Sequence, residues 1–169
     1  MDRGELEAEL EREHPDAFGW ALRCARGVRE DAEDALHAAY ERILDGRARF
    51  DGRSSFRTWL FGVVRRTAQE QRRRAWLRVT RLHDWFTRSG GVASEERGDA
   101  VVEGEARTQL QAALGQLSGR QRDMLHLVFY QELSVQEAAT LLGIPVGTAR
   151  THYERGKARL RGLLGADDA

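Results

Sequence analysis

Residues 134–156 read SVQEAATLLGIPVGTARTHYERG, and this stretch decides the fold of the C-terminal half. Ser134 and Glu137 stand three apart, the S-x-x-E spacing in which each side chain satisfies the other's free backbone amide at a helix start. Ala138, Ala139 and Leu142 follow on one face of that helix. Gly143 falls where a left-handed helix stop is needed, and Ile144-Pro145 turns the chain. A second helix opens near Val146 and turns Ala149, Tyr153 and Leu160 inward. The small residues at Ala139 and Ala149, set around Gly143, let two helices cross closely over a three-residue turn, the pattern of a helix-turn-helix. Thr148, Arg150, Thr151 and Glu154 then face outward, with Arg155, Lys157 and Arg159 beside them. Arginine can fork onto guanine, glutamate can accept from cytosine, and the remaining groups can hold phosphates. Gly156 stands inside this helix at a cost of about 0.5–1 kcal/mol relative to alanine, and nothing in the sequence explains it.

Working toward the N-terminus, a helical unit begins near Glu105 with Leu110, Ala113, Leu114 and Leu117. Ser118 caps the next helix, whose apolar positions are Met124, Leu125, Val128 and Phe129. Before that, residues 89–104 (SGGVASEERGDAVVEG) are glycine-rich, acidic and without helix or strand period, and read as a flexible linker. The first half is a second helical unit. Pro15 is expected to open a short helix, with residues 1–13 an acidic lead-in, and Asp31 to cap the next helix. That helix buries Ala32, Ala35, Leu36, Ala39 and Ile43. After a loop over 46–55, Ser54 or Ser55 caps a third helix in which Phe56, Trp59, Leu60, Val63, Val64 and Thr67 form an apolar stripe. The expected fold is all-α: two small helical domains, 1–88 and 105–169, joined by the linker 89–104.

Charge divides the chain more sharply than composition does. The 169 residues carry a formal net charge of zero. Residues 1–45 nevertheless hold 6 basic and 13 acidic side chains, and residues 46–88 hold 12 and 3. Residues 117–169 are nearly balanced, with 7 and 6. One strongly basic segment beside one strongly acidic segment suits two partners, a polyanion and a protein. Within the basic segment, the face of the third helix away from its stripe carries Thr58, Phe61, Arg65, Gln69 and Arg72, flanked by Arg57, Arg66 and Arg73. Two readings of this face stay open. Phe61 stacks on unpaired bases while arginines take phosphates, or Phe61 belongs to the core and the arginines are merely solvated.

The stretch from Asp31 to Arg74, including DAEDALHAAYERILDG and SSFRTWLFGVVRRTAQEQRRR, resembles region two of the extracytoplasmic-function (ECF) sigma factors of bacterial RNA polymerase. The stretch from Leu117 to Leu164 resembles their region four. The two occur in the family's order, with a gap too short for the middle domain of larger sigma factors. The resemblance implies a sigma factor that binds core RNA polymerase and directs promoter-specific initiation in a regulated response. It places Asp31, Glu33, Asp34, His37 and Glu41 on the surface that docks on the largest-subunit clamp. The loop with Asp51, Arg53, Ser54 and Ser55 would capture a flipped base of the −10 element. Arg57, Phe61, Arg65, Arg66 and Gln69 would meet the opened −10 strand. Thr148, Arg150, Thr151, Glu154, Arg155 and Lys157 would face the −35 duplex. The polymerase flap and an anti-sigma factor are the further partners it implies. The chain departs from the family's pattern at His37-Ala38, at Arg66 where asparagine is usual, and at Thr151-His152.

Other classes fit less well. A stand-alone helix-turn-helix regulator shares residues 134–156 but ordinarily carries a sensor domain, and no strand pattern announces one. Asp34 and His37, with Asp31 and Glu41 nearby, could be read as half of a metal cluster, yet no second cluster or paired histidine spacing accompanies them. No serine, cysteine or lysine has an activating base near it in sequence, and no phosphate-cradling glycine loop occurs. The expectation is therefore no catalytic residue, no metal and no cofactor. Cys24 is the lone cysteine, so no disulfide forms within the chain. With no apolar run near the roughly 20 residues of a bilayer span and no export signal, the chain is expected in the cytoplasm without membrane insertion.

Overall fold

The computed structural model describes residues 2–86 and 105–165, with side chains at 2–77 and 109–165. The expected linker, 89–104, lies outside the described residues. The chain divides into two compact units, 1–99 and 100–169.

The first unit packs three helices pairwise: α1 (Arg3–Cys24), α2 (Arg29–Leu44) and α3 (Phe56–Phe86). Helix α1 starts twelve residues before Pro15, not at it. Asp2 and Glu5 form a capping box, the Asp2 carboxylate accepting from the Glu5 amide and the Glu5 carboxylate from the Asp2 amide, each at 2.9 Å. A proline inside a helix removes one hydrogen bond; here Pro15 is exposed while Leu10, Ala17, Trp20 and Ala21 are buried, so packing holds the helix through it. The acidic lead-in is thus structural. Helix α2 begins at Arg29 behind Val28, so Asp31 lies in the first turn rather than at the cap. Its carboxylate still faces the positive helix end. Ala32, Ala35 and Ala39 on α2 and Ala17, Ala21 and Ala25 around α1 are buried; they bring small side chains to the first unit's core.

Helix α3 is capped by Ser55, whose Oγ accepts the Thr58 amide at 3.2 Å. Its buried sector is wider than one stripe. Thr58, Phe61 and Ala68 are buried together with Leu60, Val63, Val64 and Thr67, because α1 and α2 both pack on it. Phe56 and Trp59, assigned to the stripe, are half-exposed and gather around Phe50 instead, with ring centroids 5.3–5.6 Å apart. Arg42 on α2 donates to Glu70 on α3 at 2.5 Å, and this bond holds the Glu70 carboxyl below the usual range.

The second unit holds α4 (Glu105–Gly115), α5 (Gly119–Leu125), a π-helical turn (His126–Tyr130), α6 (Val135–Leu142) and α7 (Val146–Gly165). Helices α4, α5 and α6 all pack on α7. Capping boxes start α5 (Ser118 with Gln121) and α6 (Ser134 with Glu137). Gly143 ends α6 at φ +65°, and the Ile144 amide returns to the Ala139 carbonyl at 3.1 Å, closing the left-handed stop. The π-helical turn, with the Gln131 amide reaching back five residues to the His126 carbonyl at 3.1 Å, changes which side chains face inward. Leu127 is fully buried, whereas Phe129, expected in the core, is 61% exposed. Gly156 also acquires a reason. A Cβ there would lie 3.2 Å from the Gln121 Cβ and 3.4 Å from Leu125 Cδ1, so glycine is what lets α7 cross α5 closely.

Candidate nucleic-acid and polymerase interfaces

On α7, Ala149 and Gly156 are buried and Tyr153 is half-buried. At about 100° per residue the opposite arc contains Thr148, Arg150, Thr151, Glu154 and Arg155, and all five are exposed. Lys157 sits at the edge of this arc. It is half-buried, pairs with Glu154 at 3.2 Å and lies over the Tyr153 ring, 4.8 Å from its centroid. The exposed arc therefore offers donors and an acceptor on a helix held from behind by three others. That is the arrangement needed to enter a major groove, where Arg150 could address a guanine edge and Thr148 or Thr151 a phosphate.

On α2 the buried residues Ala32, Ala35, Leu36, Ala39 and Ile43 define the inward face. Asp31, Glu33, Asp34, His37 and Glu41 are all exposed and occupy one continuous arc opposite. Its two margins differ. Glu33, paired with Arg29 at 2.8 Å, and His37 line a groove of about 360 Å³ with His14, Phe18, Leu36 and Tyr40. Asp31 and Asp34 line a cleft of about 390 Å³ whose other wall carries Arg72 and Arg74 of α3. The His14 Nδ1 and Tyr40 hydroxyl are 3.2 Å apart, and burial, then the Glu13 carboxylate, push the Tyr40 phenol up to about 12.

The α3 face resolves less uniformly. Asp51 and Arg53 are exposed and tied together, the Asp51 carboxylate accepting the Arg53 amide at 3.2 Å and lying 3.3 Å from its guanidinium. Ser54 is half-buried, and the Ser55 hydroxyl is committed to the α3 cap, 2.8 Å from Thr58 Oγ1. Arg66 and Gln69 are exposed and Arg65 is half-buried.

Two assignments on α3 are corrected. Phe61 is fully buried and stacks on Trp20 at 6.2 Å, while its carbonyl accepts the Trp20 indole N–H at 3.0 Å. It cannot offer a ring to DNA in this fold. Arg57 bonds Glu13 and Asp16, each at 2.7 Å, so its guanidinium is committed to carboxylates of α1, that of Glu13 buried. Glu13 lies 44 positions away in a segment read as a lead-in, so no local pattern could reveal the pair. The cluster of Phe50, Phe56 and Trp59 was missed although its signal was in the sequence, three aromatics within ten residues around a glycine-containing loop. Phe129 and Tyr130, at 61% and 74% exposed, were missed because the π-helical turn has no periodic signature.

Comparison with known proteins shows the family. Residues 10–78 match the Sigma-70 region 2 family model and residues 107–160 match Sigma-70, region 4. The ECF RNA polymerase sigma factor SigX of Bacillus subtilis is 31% identical over 136 residues, covering 79% of this chain and 70% of that protein. SigM of Mycobacterium tuberculosis, also an ECF RNA polymerase sigma factor, is 30% identical over 158 residues, covering 93% and 76%. The chain belongs to the ECF sigma factors. As such, this sigma factor associates with core RNA polymerase and directs promoter-specific transcription initiation. Solved structures share its fold. The sigma factor RpoE of Bartonella quintana, crystallised with the anti-sigma factor NepR, superposes with a TM-score of 0.71 at 23% identity, covering 96% of this chain and 98% of that one. CnrH, in complex with the cytosolic domain of CnrY, does so at 0.63 and 21%, covering 98% and 91%. Among the described residues no helix is long and apolar enough to cross a membrane.

Proposed function

We propose a division of labour between the two units of this ECF sigma factor. The exposed arc of α2 (Asp31, Glu33, Asp34, His37, Glu41) docks on the polymerase clamp. The loop with Asp51, Arg53 and Ser54, together with Arg65, Arg66 and Gln69 of α3, holds the opened −10 strand. The arc of α7 with Thr148, Arg150, Thr151, Glu154 and Arg155 reads the −35 duplex, with Lys157 at its margin. The half-exposed rings of Phe50, Phe56 and Trp59 take over the aromatic role that Phe61 cannot fill.

The observation that carries this reading is the segregation of sign. An acidic arc on α2 and a basic arc on α3 belong to one unit and meet at the cleft of Asp31, Asp34, Arg72 and Arg74. Glu33, His37 and Glu41 on one helix and Arg65, Arg66 and Gln69 on the other do not line it, so protein and DNA need not compete for them. The reading extends to regulation in the cytoplasm by an anti-sigma factor, as RpoE of Bartonella quintana is bound by NepR. The protein supplies no chemistry of its own. Run-off transcription with core polymerase tests the assignment: wild type yields new starts, and Arg150→Ala weakens −35-dependent promoters by about 1–3 kcal/mol if its contact is bidentate. Unchanged output from Arg150→Ala removes that arginine from the interface.

A further inference from the structure

Helix α3 outruns its partners. At about 1.5 Å per residue its 31 residues extend well beyond the length of the 16-residue α2. From Arg72 to Leu77 every described side chain is exposed. In this overhang stands Trp76, 63% exposed, a large ring where a solvated helix face needs none. Arg66, Gln69, Arg73 and Trp76 follow one another at i, i+3, i+7 and i+10, all exposed, with Arg72 one turn before Trp76. Side chains on a helix lean toward its N-terminus, so the indole lies over the turn bearing Arg72 and Arg73. The stripe from Arg66 to Trp76 covers about 15 Å.

We propose that Trp76 is a stacking platform for an unpaired promoter base, flanked by phosphate contacts from Arg72 and Arg73, extending the −10 strand interface beyond the helical bundle. This rests on the assignment of α3 to the −10 strand. The occupant follows from charge. The segment 46–88 carries 12 basic and 3 acidic residues, and the residues that precede Trp76 on its arc are arginine and glutamine. A polyanion with π-faces matches both features. Asp31 and Asp34 share the cleft with Arg72 and Arg74, and Glu70, bonded to Arg42, acts on Arg73 and Arg74; three carboxylates among four arginines leave this stretch positive.

The test uses holoenzyme assembled from the full chain and core polymerase, with a fluorescein-labelled single-stranded 12-mer of oligothymidine as probe and core alone as baseline. Trp76→Ala should weaken binding about five- to a hundredfold, the range of base–aromatic stacking, without changing the slope of log K against log salt. Trp76→Phe should stay within about twofold, since the ring persists. Arg73→Ala should instead flatten the salt slope by about 0.7, one phosphate lost. If Trp76→Ala binds the strand like wild type while Arg65→Ala/Arg66→Ala weakens it, the platform is wrong and the −10 assignment stands. If neither set weakens it, the −10 assignment of α3 falls as well. A Trp76→Ala protein that loses affinity for core polymerase instead identifies a protein contact and overturns the proposal.

Discussion

Gly156 gives the sharpest test of the second unit, because two physical terms act there with opposite sign. Replacing glycine in a helix interior by valine recovers a few tenths of a kcal/mol of intrinsic propensity. Against this, the new Cβ alone would sit 3.2 Å from Gln121 Cβ, 3.4 Å from Leu125 Cδ1 and 3.5 Å from the Gln121 carbonyl oxygen. Carbon pairs are comfortable at about 3.5–4.0 Å. Two of the three atoms are a Cβ and a backbone oxygen, which no rotamer change can remove, so α5 and α7 must separate, and the two γ-methyls of valine widen the gap. Overpacking of this kind costs about 1–3 kcal/mol, so Gly156→Val loses about 1–2.5 kcal/mol net. For a unit of this size each kcal/mol moves the midpoint about 4–8 °C. The assay exploits the tryptophans: all four (Trp20, Trp59, Trp76, Trp85) precede residue 100. Fluorescence melting therefore follows the first unit alone, and far-UV circular dichroism follows both. Gly156→Val should lower one phase of the dichroism melt while the fluorescence midpoint stays fixed, and −35-dependent transcription should fall with it. Gly162, in the same helix with nothing within 4 Å of its would-be Cβ, is the control; Gly162→Ala should be neutral or slightly stabilising. An unmoved or raised dichroism midpoint in Gly156→Val would refute the close crossing.

Three further outcomes follow from the first unit. Arg57→Ala should destabilise it by about 2–3 kcal/mol in urea unfolding followed by tryptophan fluorescence, because the buried Glu13 is left with only its longer contact to Arg12, at 3.5 Å; unchanged stability would return Arg57 to the DNA face. Tyr40, with its phenol held near 12 by burial and by Glu13, keeps its proton in the folded state when the unfolded state begins to lose it near the usual value of about 10. Its stabilising contribution is complete below that pH and is lost as pH rises to about 12, and Tyr40→Phe should flatten that decline in stability. Asp31→Asn/Asp34→Asn should weaken pull-down of core polymerase yet raise the free chain's affinity for single-stranded DNA, since both carboxylates share a cleft with Arg72 and Arg74; a drop in both affinities would contradict the electrostatic account.

The second unit was legible almost residue by residue. Its helix ends are set by local chemistry: Ser118 with Gln121, Ser134 with Glu137, and glycine at position 143. Such signals act within three or four residues and survive in sequence. The same locality shows what was lost. The π-helical turn carries no side-chain signature, so Phe129, inward by helical period, is exposed in the fold. Gly156 read as a cost because its reason, Gln121, lies 35 positions away. In the first unit Asp2 and Glu5 had the spacing of a cap, but Pro15 drew the helix start toward itself.

Helix α3 shows why its DNA face was the least readable element. A single-stripe projection assumes one packing partner, and α3 has two. The second partner claims the flank of the stripe, where Phe61 and Thr58 lie, and α1 adds the ion pair that withdraws Arg57. A helix wedged between two others can therefore present DNA-facing groups only on the narrow arc opposite both, and on whatever length extends past them. Arg66, Gln69 and Arg73 satisfy the first condition, and Trp76, five turns beyond Thr58 on the same flank, satisfies the second. Exposed rings therefore stand at the two ends of this face: Phe56 and Trp59, half-exposed where α3 begins, and Trp76, exposed where α3 leaves the bundle, while the ring between them, Phe61, is taken by the core.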